Sequence, residues 1–136
     1  MMIATATELL GLLADESPES VRRIRHDTAP AEVWLEVLQR APEHADTVAL
    51  NKALPLTVLR VLAKSEDSRV RFAVVQKKRL SSDLLTQLAT DPDEGIRLAV
   101  AEHRNTAQST LRTLATDSWD RVRDAAERRL EDKSGS

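Results

Sequence analysis

The amino-acid sequence predicts an all-α fold, an α-solenoid of about five two-helix repeats of 24–26 residues. The first observation behind this prediction is a pattern that recurs three times at a spacing of 26 residues. Self-similarity at such a period is typical of repeat arrays, whose units bury their apolar faces only against neighbouring units. Each copy holds a Leu-Ala pair eight residues before a branched apolar residue and an Arg: Leu62-Ala63 with Val70-Arg71, Leu88-Ala89 with Ile96-Arg97, and Leu114-Ala115 with Val122-Arg123.

The second observation is the composition of the 136 residues. Tyr is absent, and one Phe and two Trp leave Leu, Val and Ala to fill the interior, which is typical of helical proteins. The absence of Cys excludes a disulfide framework and a thiolate-bound metal or iron-sulfur site. No apolar run approaches the length of about 18 residues that predicts a membrane span, and the N-terminus lacks the basic start of a signal peptide. We therefore expect a cytoplasmic protein without a membrane segment.

The first repeat shows clear helix-start signals. Thr5 and Glu8 form a capping box, which predicts that a helix begins there and presents its leucines on one face. Ser17 followed by Pro18 supplies an N-cap and a first-turn proline, which predicts a second helix starting near Val21. The repeat is therefore a pair of short helices.

The later repeats follow the same plan. In the second and most divergent repeat, Pro30 stands early in the first helix and Pro42 marks the turn. In the fourth, Ser81 opens the first helix, and the stretch Asp91-Pro92-Asp93-Glu94 caps the second. In register, the first helices contribute two core columns: Leu10, Trp34, Leu59, Leu85 and Leu111, and Leu13, Val37, Leu62, Leu88 and Leu114.

These elements predict one helical-repeat domain over residues 1–130. Its repeats span about 5–27, 28–52, 53–78, 79–104 and 105–130. The remaining segment, 131–136, contains no apolar residue and is predicted to be a disordered polar tail.

The stretch from Leu84 to Arg123 contains the segments Leu88-Ala89-Thr90-Asp91, Ile96-Arg97, Ala99-Val100-Ala101 and His103-Arg104-Asn105-Thr106. With these segments it resembles the bacterial leucine-rich repeat variant family, which is close to HEAT-like repeats. The resemblance implies a right-handed solenoid of paired short helices, some of them 3-10 helices, that binds other macromolecules. Arg104 and Ala107 stand where the family usually has prolines, and there are no cysteines for the iron-sulfur cluster that the family can carry, so no cofactor is expected.

Charge is distributed unevenly along the chain. Residues 1–50 hold four basic and nine acidic residues, whereas 51–136 hold sixteen basic and thirteen acidic residues. In the later repeats, acids collect in the turn between the helices and bases on the second helix, a distribution that the helix dipole alone favours. The cluster Lys77-Lys78-Arg79, with Arg69 and Arg71 nearby in sequence, exceeds that requirement. It is either a binding surface or a solvated charge run.

A recurrent arginine is the second candidate feature. It either lines a groove for anionic ligands or pairs with acids of the turns and so holds the repeats together. We favour the structural interpretation, because positions that repeat with the architecture normally serve it. The column consists of Arg22, Arg71, Arg97 and Arg123.

The third candidate feature is a set of apolar residues on the second helices. Phe72 and Val75, with Leu98 and Ala101 one repeat later, form either an apolar strip for a partner or an arc that neighbouring repeats bury. Trp119, in the last inter-helix turn, covers the end of the solenoid or meets a partner.

The sequence favours a non-enzymatic scaffold that binds a protein partner as an adaptor, inhibitor or immunity-type protein. Nucleic-acid binding through the basic second-helix face, as in HEAT-like DNA glycosylases, is the alternative, and the pI near 5.9 opposes it. A hydrolytic or glycosylase activity built on Trp119 and a nearby acid is weaker still. His26, His44 and His103 lack metal-ligand spacing, so neither a metal nor a catalytic site is expected. The oligomeric state does not follow from the sequence.

Overall fold

The computed structural model describes residues 2–134, and within that range the chain forms ten α-helices and one 3-10 helix but no β-strand. The predicted all-α class is therefore confirmed. The α-helices are α1 (Ala6–Ala14), α2 (Pro18–His26), α3 (Ala31–Arg40), α4 (Ala45–Ala49), α5 (Leu56–Leu62), α6 (Ser68–Val75), α7 (Ser82–Leu88), α8 (Glu94–Glu102), α9 (Gln108–Leu114) and α10 (Asp120–Ser134), and the 3-10 helix is Pro42–His44.

The helices occur in pairs, as the predicted two-helix repeats require. The second repeat departs from the plan because its second helix is divided into the 3-10 helix and α4, the shortest of the α-helices described. Helices α5, α7 and α9 each contain only seven residues. Isolated helices of that length are marginal in water, since nucleation is unfavourable, so packing against other helices must stabilise them.

The chain divides into two compact units, Met1–Ala73 and Val74–Ser136. In the first unit α1 packs on α2 and α3, and α3 also packs on α5. In the second unit α8 packs on α7, α9 and α10, and α10 also packs on α9. The boundary between the units falls inside α6. The single domain over 1–130 and its repeat boundaries stay a prediction.

Leucine positions of the first helices form the core of each unit, as predicted. Trp34 is fully buried in the first unit, and its indole N–H has no hydrogen-bond partner among the described residues. Leu10 is the exception, because it is half-buried and its neighbour Leu9 is fully buried instead. The other buried members of the two columns are Leu13, Val37, Leu59, Leu62, Leu85, Leu88, Leu111 and Leu114.

The alignment of Arg22 with Arg71 in the arginine column places Val21 at the buried position of Val70, but in the structure the inward face of α2 lies one residue earlier. The Ser17 hydroxyl accepts a hydrogen bond from the Ser20 amide and Pro18 opens the helix, so the inward face falls on Ser20 and Ile24. These buried positions lie four residues apart, like Val70 and Val74 in α6. Val21 is consequently 43% exposed. Because Arg22 follows Val21 and is exposed too, its assignment to the arginine column is wrong.

The end of α10 also corrects a prediction. The helix continues to Ser134, so residues 131–134 are helical rather than disordered. Lys and Glu are good helix formers, and they extend a helix whose earlier turns are anchored by buried Ala125 and Ala126. Residues 135 and 136 of the predicted tail lie outside the described residues. Within residues 2–134 no helix combines the length and apolar character that a transmembrane span requires.

Truncation of Leu88 tests this core. The side chain is 2% exposed, so Leu88→Ala should lower the free energy of unfolding by about 2–5 kcal/mol through lost burial and the cavity left behind. Urea denaturation followed by circular dichroism measures the change. The control is Leu56→Ala, because Leu56 is 43% exposed and its truncation should cost far less. Equal effects of the two substitutions would contradict the burial described here.

Candidate functional site

Three arginines make the same contact in successive repeats. Each donates a hydrogen bond from Nη1 to the main-chain carbonyl six residues earlier, in the turn that joins the two helices of its repeat. Turn carbonyls need a partner when water cannot reach them, and these side chains supply it. The contacts are Arg71 to Ser65 at 2.8 Å, Arg97 to Asp91 at 2.8 Å and Arg123 to Asp117 at 2.9 Å. Arg71, Arg97 and Arg123 therefore hold each second helix against its own turn.

Arg97 also joins two repeats. Its Nε lies 2.8 Å from Asp117 Oδ2 and its Nη2 3.2 Å from Asp117 Oδ1, a two-point ion pair. The side chains are only 15% and 10% exposed. Burial acts to raise the pKa of Asp117, but the hydrogen bonds from Arg97 and the Trp119 amide, with the charges of Arg97 and Arg123, together lower that pKa. The hydrogen bond to Asp117 raises the pKa of Arg97.

A second set of polar contacts links consecutive second helices through main-chain carbonyls at or near the C-terminal end of the earlier helix. His103 Nδ1 accepts a hydrogen bond from the Asn105 amide, so its Nε2 donates to the Lys77 carbonyl, 2.7 Å away. One repeat later, Arg129 Nη1 donates to the His103 carbonyl at 2.8 Å. In the first unit, the buried Asn51 donates from Nδ2 to the Ile24 carbonyl at 2.6 Å.

We call Asn51, Lys77, His103 and Arg129 the turn ladder, because these polar residues follow one another at intervals of 26 residues. Of these four residues, only His103 lies in a segment that carries the family resemblance. The signal that could have revealed the others was this interval, which joins four unlike polar residues. Lys77 is half-buried at its ladder position, so the basic cluster of the sequence analysis loses one exposed member.

Two clefts open along the second helices of the second unit. The α6–α8 cleft has a volume of about 370 Å³ and the α8–α10 cleft about 250 Å³. Glu102 lines both. The α6–α8 cleft is otherwise lined by Val75, Gln76, Lys78, Ala99, His103 and Arg104, and the α8–α10 cleft by Leu98, Arg121, Asp124, Ala125 and Arg128.

Two basic side chains of the α6–α8 cleft are not used by the fold. Lys78 and Arg104 are exposed and, among the described residues, form no ion pair. Arg79 is exposed as well, but it does not line the cleft. Arg104 was identified in the sequence only as a departure from the usual proline, and its role as a cleft cation was missed.

The predicted apolar strip is only partly exposed. Val75 is 2% exposed and Ala101 is fully buried, so the interpretation that packing covers this arc holds for these two residues. Val75 forms part of the floor of the α6–α8 cleft instead of a protruding contact. Leu98 is half-buried at the α8–α10 cleft, and Phe72, in the first unit, remains 43% exposed.

Trp119 stands immediately before α10 and is half-buried. The Trp119 amide donates a hydrogen bond to Asp117 Oδ1 at 2.9 Å, and the Trp119 carbonyl accepts hydrogen bonds from the amides of Val122 and Arg123. The guanidinium carbon of Arg121 lies 5.5 Å from the centre of the indole ring, which is within cation–π range. Trp119 thus positions Arg121, a lining residue of the α8–α10 cleft.

The arrangement offers charged and apolar contacts rather than a reaction centre. Among the described residues, no group of three or more His, Cys, Asp or Glu side chains could hold a metal ion.

The paired short helices and the turn ladder define this chain as a helical-repeat protein. The leucine rich repeat variant family model matches residues 69–93, which run through α6 and α7 to the N-cap of α8. The match confirms the predicted resemblance to this family and overlaps the predicted stretch at residues 84–93, and the family is one of structural repeats. Neither the comparison with curated proteins nor that with solved structures gave a match.

Loss of the Arg97 guanidinium should destabilise the second unit. Arg97→Ala leaves the mostly buried Asp117 carboxylate and the Asp91 carbonyl without this donor, which should cost about 2 kcal/mol in the free energy of unfolding. Urea denaturation measures the loss. The control is Arg112→Ala, because Arg112 is exposed on α9 and forms no ion pair among the described residues. If Arg97→Ala were as stable as Arg112→Ala, the structural role assigned to Arg97 would be contradicted.

Asp117 should make stability depend on pH. The pKa of Asp117 in the folded protein lies below the ordinary 3.8. The ionised carboxylate therefore contributes fully to the free energy of unfolding above pH 3.8, and this contribution is lost as the pH falls through the folded-state pKa. Asp117→Asn should therefore be most destabilising at neutral pH, and its difference from the unsubstituted protein should shrink during acidification through that window. Urea denaturation across a pH series measures this difference.

The control for Asp117→Asn is Asp83→Asn on α7, because Asp83 is exposed and forms no ion pair among the described residues. Asp83→Asn removes a carboxylate but leaves the Arg97–Asp117 ion pair intact. The same pH dependence in both variants would show that the Arg97–Asp117 pair is not its source.

Proposed function

We propose that this protein is a non-enzymatic helical-repeat scaffold in the cytoplasm that binds a protein partner through the second-helix face of its second unit. The observation that carries the proposal is the pair of adjacent clefts, which combine exposed charge with small apolar floors. Protein interfaces characteristically place an apolar centre within a polar rim. The leucine rich repeat variant match supports a scaffold, since repeat proteins present extended binding faces.

The residues that form this face differ from those that maintain the repeat. Arg97 and His103 bond to neighbouring turns and helices, whereas Lys78, Arg104 and Arg128 are exposed at the clefts. Exposed charge that has no internal partner can be used for recognition at little cost to the fold. The proposal includes an adaptor, inhibitor or immunity-type role, all of which require a protein-binding face of this kind.

Nucleic-acid binding is the alternative, favoured by the four basic side chains of the two clefts. Glu102 and Asp124 oppose it, because carboxylates beside a backbone track repel phosphates. The net charge of −2 also provides no general attraction to a polyanion.

Site-specific photo-cross-linking tests the proposal. A photoreactive amino acid at Gln76 or Arg128, both exposed at the clefts, should capture a protein from an extract of the source organism. The same amino acid at exposed Arg112 on α9 is the control and should capture far less. The captured protein is then purified and its binding measured by calorimetry with the variants Gln76→Ala and Arg112→Ala.

The rival function predicts a different product. A cross-linked species that disappears on nuclease treatment, together with a mobility shift that weakens steeply with salt, would replace the protein partner with nucleic acid. Equal capture at Gln76, Arg128 and Arg112 would contradict the assignment of the binding face.

A further inference from the structure

We propose that the α6–α8 cleft binds the C-terminal carboxylate of the protein partner. This inference rests on the proposed function and adds to it the part of the partner that is recognised. Lys78 and Arg104 bring two cations to the cleft and Glu102 one carboxylate, so its charged side chains sum to one positive charge. His103 adds none, because its Nδ1 accepts a hydrogen bond from the Asn105 amide and therefore carries no proton. The lining is complementary to a single negative charge.

The α8–α10 cleft has a different character. Its two cations, Arg121 and Arg128, are offset by the carboxylates of Glu102 and Asp124. The charged side chains of this lining therefore cancel, and they provide no net attraction to an anion. Only the α6–α8 cleft is a candidate for a carboxylate.

Hydrogen bonds between the two sides of the α6–α8 cleft fix the segments that carry its cations. His103 Nε2 donates to the Lys77 carbonyl at 2.7 Å, and Asn105 Nδ2 donates to the Lys78 carbonyl at 3.2 Å. The backbone at Lys78 is thus tied to the residues on either side of Arg104. A site whose backbone is already fixed loses only side-chain freedom when an anion binds, which favours affinity.

The other lining groups match the remainder of a C-terminal residue. Next to its carboxylate, such a residue carries a main-chain N–H and a side chain. The Glu102 carboxylate and the Gln76 amide oxygen can accept a hydrogen bond from this N–H. Val75 and Ala99 form a small apolar floor that an aliphatic side chain can cover. One terminal residue can thus satisfy all three kinds of lining group, and capture of a C-terminal carboxylate is a recurring mode of peptide recognition.

Other anions match the lining less well. An internal Asp or Glu uses its own side chain to reach the cations, so that residue leaves Val75 and Ala99 uncovered. A sugar-phosphate backbone carries a charge at every nucleotide, and the lining balances only one of these charges while Glu102 repels the rest. A C-terminal residue therefore suits the α6–α8 cleft better than an acidic side chain or a nucleic acid does.

An NMR titration of the isotope-labelled full chain tests this inference. The probes are short acetylated Gly-Ser peptides with a variable last residue, each prepared as the free acid and as the C-terminal amide. We expect free acids that end in Ala or Val to bind most tightly, because the apolar floor is small. Their amides lack the negative charge and should bind about tenfold more weakly, since each exposed ion pair contributes roughly twofold to fivefold. Equal affinities of acid and amide, or no binding by any free acid, would overturn the inference.

Neutral substitutions identify the residues. Lys78→Gln/Arg104→Gln should weaken the tightest-binding free acid about tenfold and leave its amide unchanged. The matched control is Arg79→Gln/Arg112→Gln, which removes the same charge at exposed positions that do not line the cleft. If circular dichroism shows that the double variant is unfolded, Lys78→Gln and Arg104→Gln are measured singly, each with a smaller expected loss. The same affinity in the cleft variant and its control would overturn the proposal.

Two further probes distinguish other sources of negative charge. These are an amidated peptide with an internal Glu and a single-stranded oligonucleotide. If either binds the cleft as tightly as the free acid, the site belongs to a side-chain carboxylate or to phosphate, and the inference is overturned.

Cross-linking separates this inference from the proposed function. A protein captured at Gln76 through an internal segment would sink the inference while leaving the protein-binding scaffold in place. Capture at Gln76 and Arg128 no greater than at Arg112 would contradict the proposed function itself.

Discussion

Side-chain hydrogen bonds to turn carbonyls are the interaction on which the rest of this structure depends. Helices of seven residues cannot persist alone, and the turns between them expose carbonyls that no helix satisfies. Arg97 bonds to the Asp91 carbonyl of its own turn, and His103 bonds to the Lys77 carbonyl of the preceding repeat. The Arg97 contact holds the second helix against the turn of the same repeat, and the His103 contact holds that repeat against the preceding one. Leu burial then provides the main driving force, but these polar contacts determine where each helix lies.

The sequence could predict much of the fold because its strongest signal and its packing share one period. Leu62, Leu88 and Leu114 stand at equal intervals and are all buried as predicted. The prediction failed where the period weakens. Val21 was aligned with Val70 by residue type, yet the Ser17 cap turns Ser20 inward, so a local capping contact decided the register. The prediction that residues 131–134 are disordered was also wrong, because helix propensity extends α10 beyond its last apolar contact.

The candidate site was less predictable than the fold. Arg97 and Lys78 are both basic residues of second helices, and residue type alone does not separate them. Arg97 meets Asp117 at 2.8 Å, whereas Lys78 is exposed at a cleft. Periodicity gives a partial criterion, because Arg97 has counterparts at 26-residue intervals on both sides whereas Arg104 interrupts a position where the family usually has proline. Burial of Val75 could not be predicted, since it depends on how closely the helices approach one another.

Exposed positions of the second helices show how a repeated scaffold can be selective. Gln76, Glu102 and Arg128 occupy one register position in three successive repeats, and all three are exposed at the clefts. The position is thus neutral, then negative, then positive. A regular helical repeat would otherwise present nearly the same surroundings at every step, and a bound segment could shift by one repeat or reverse its direction. Because the charge changes from step to step, the successive positions are not equivalent, and like charges oppose a segment that is shifted by one repeat.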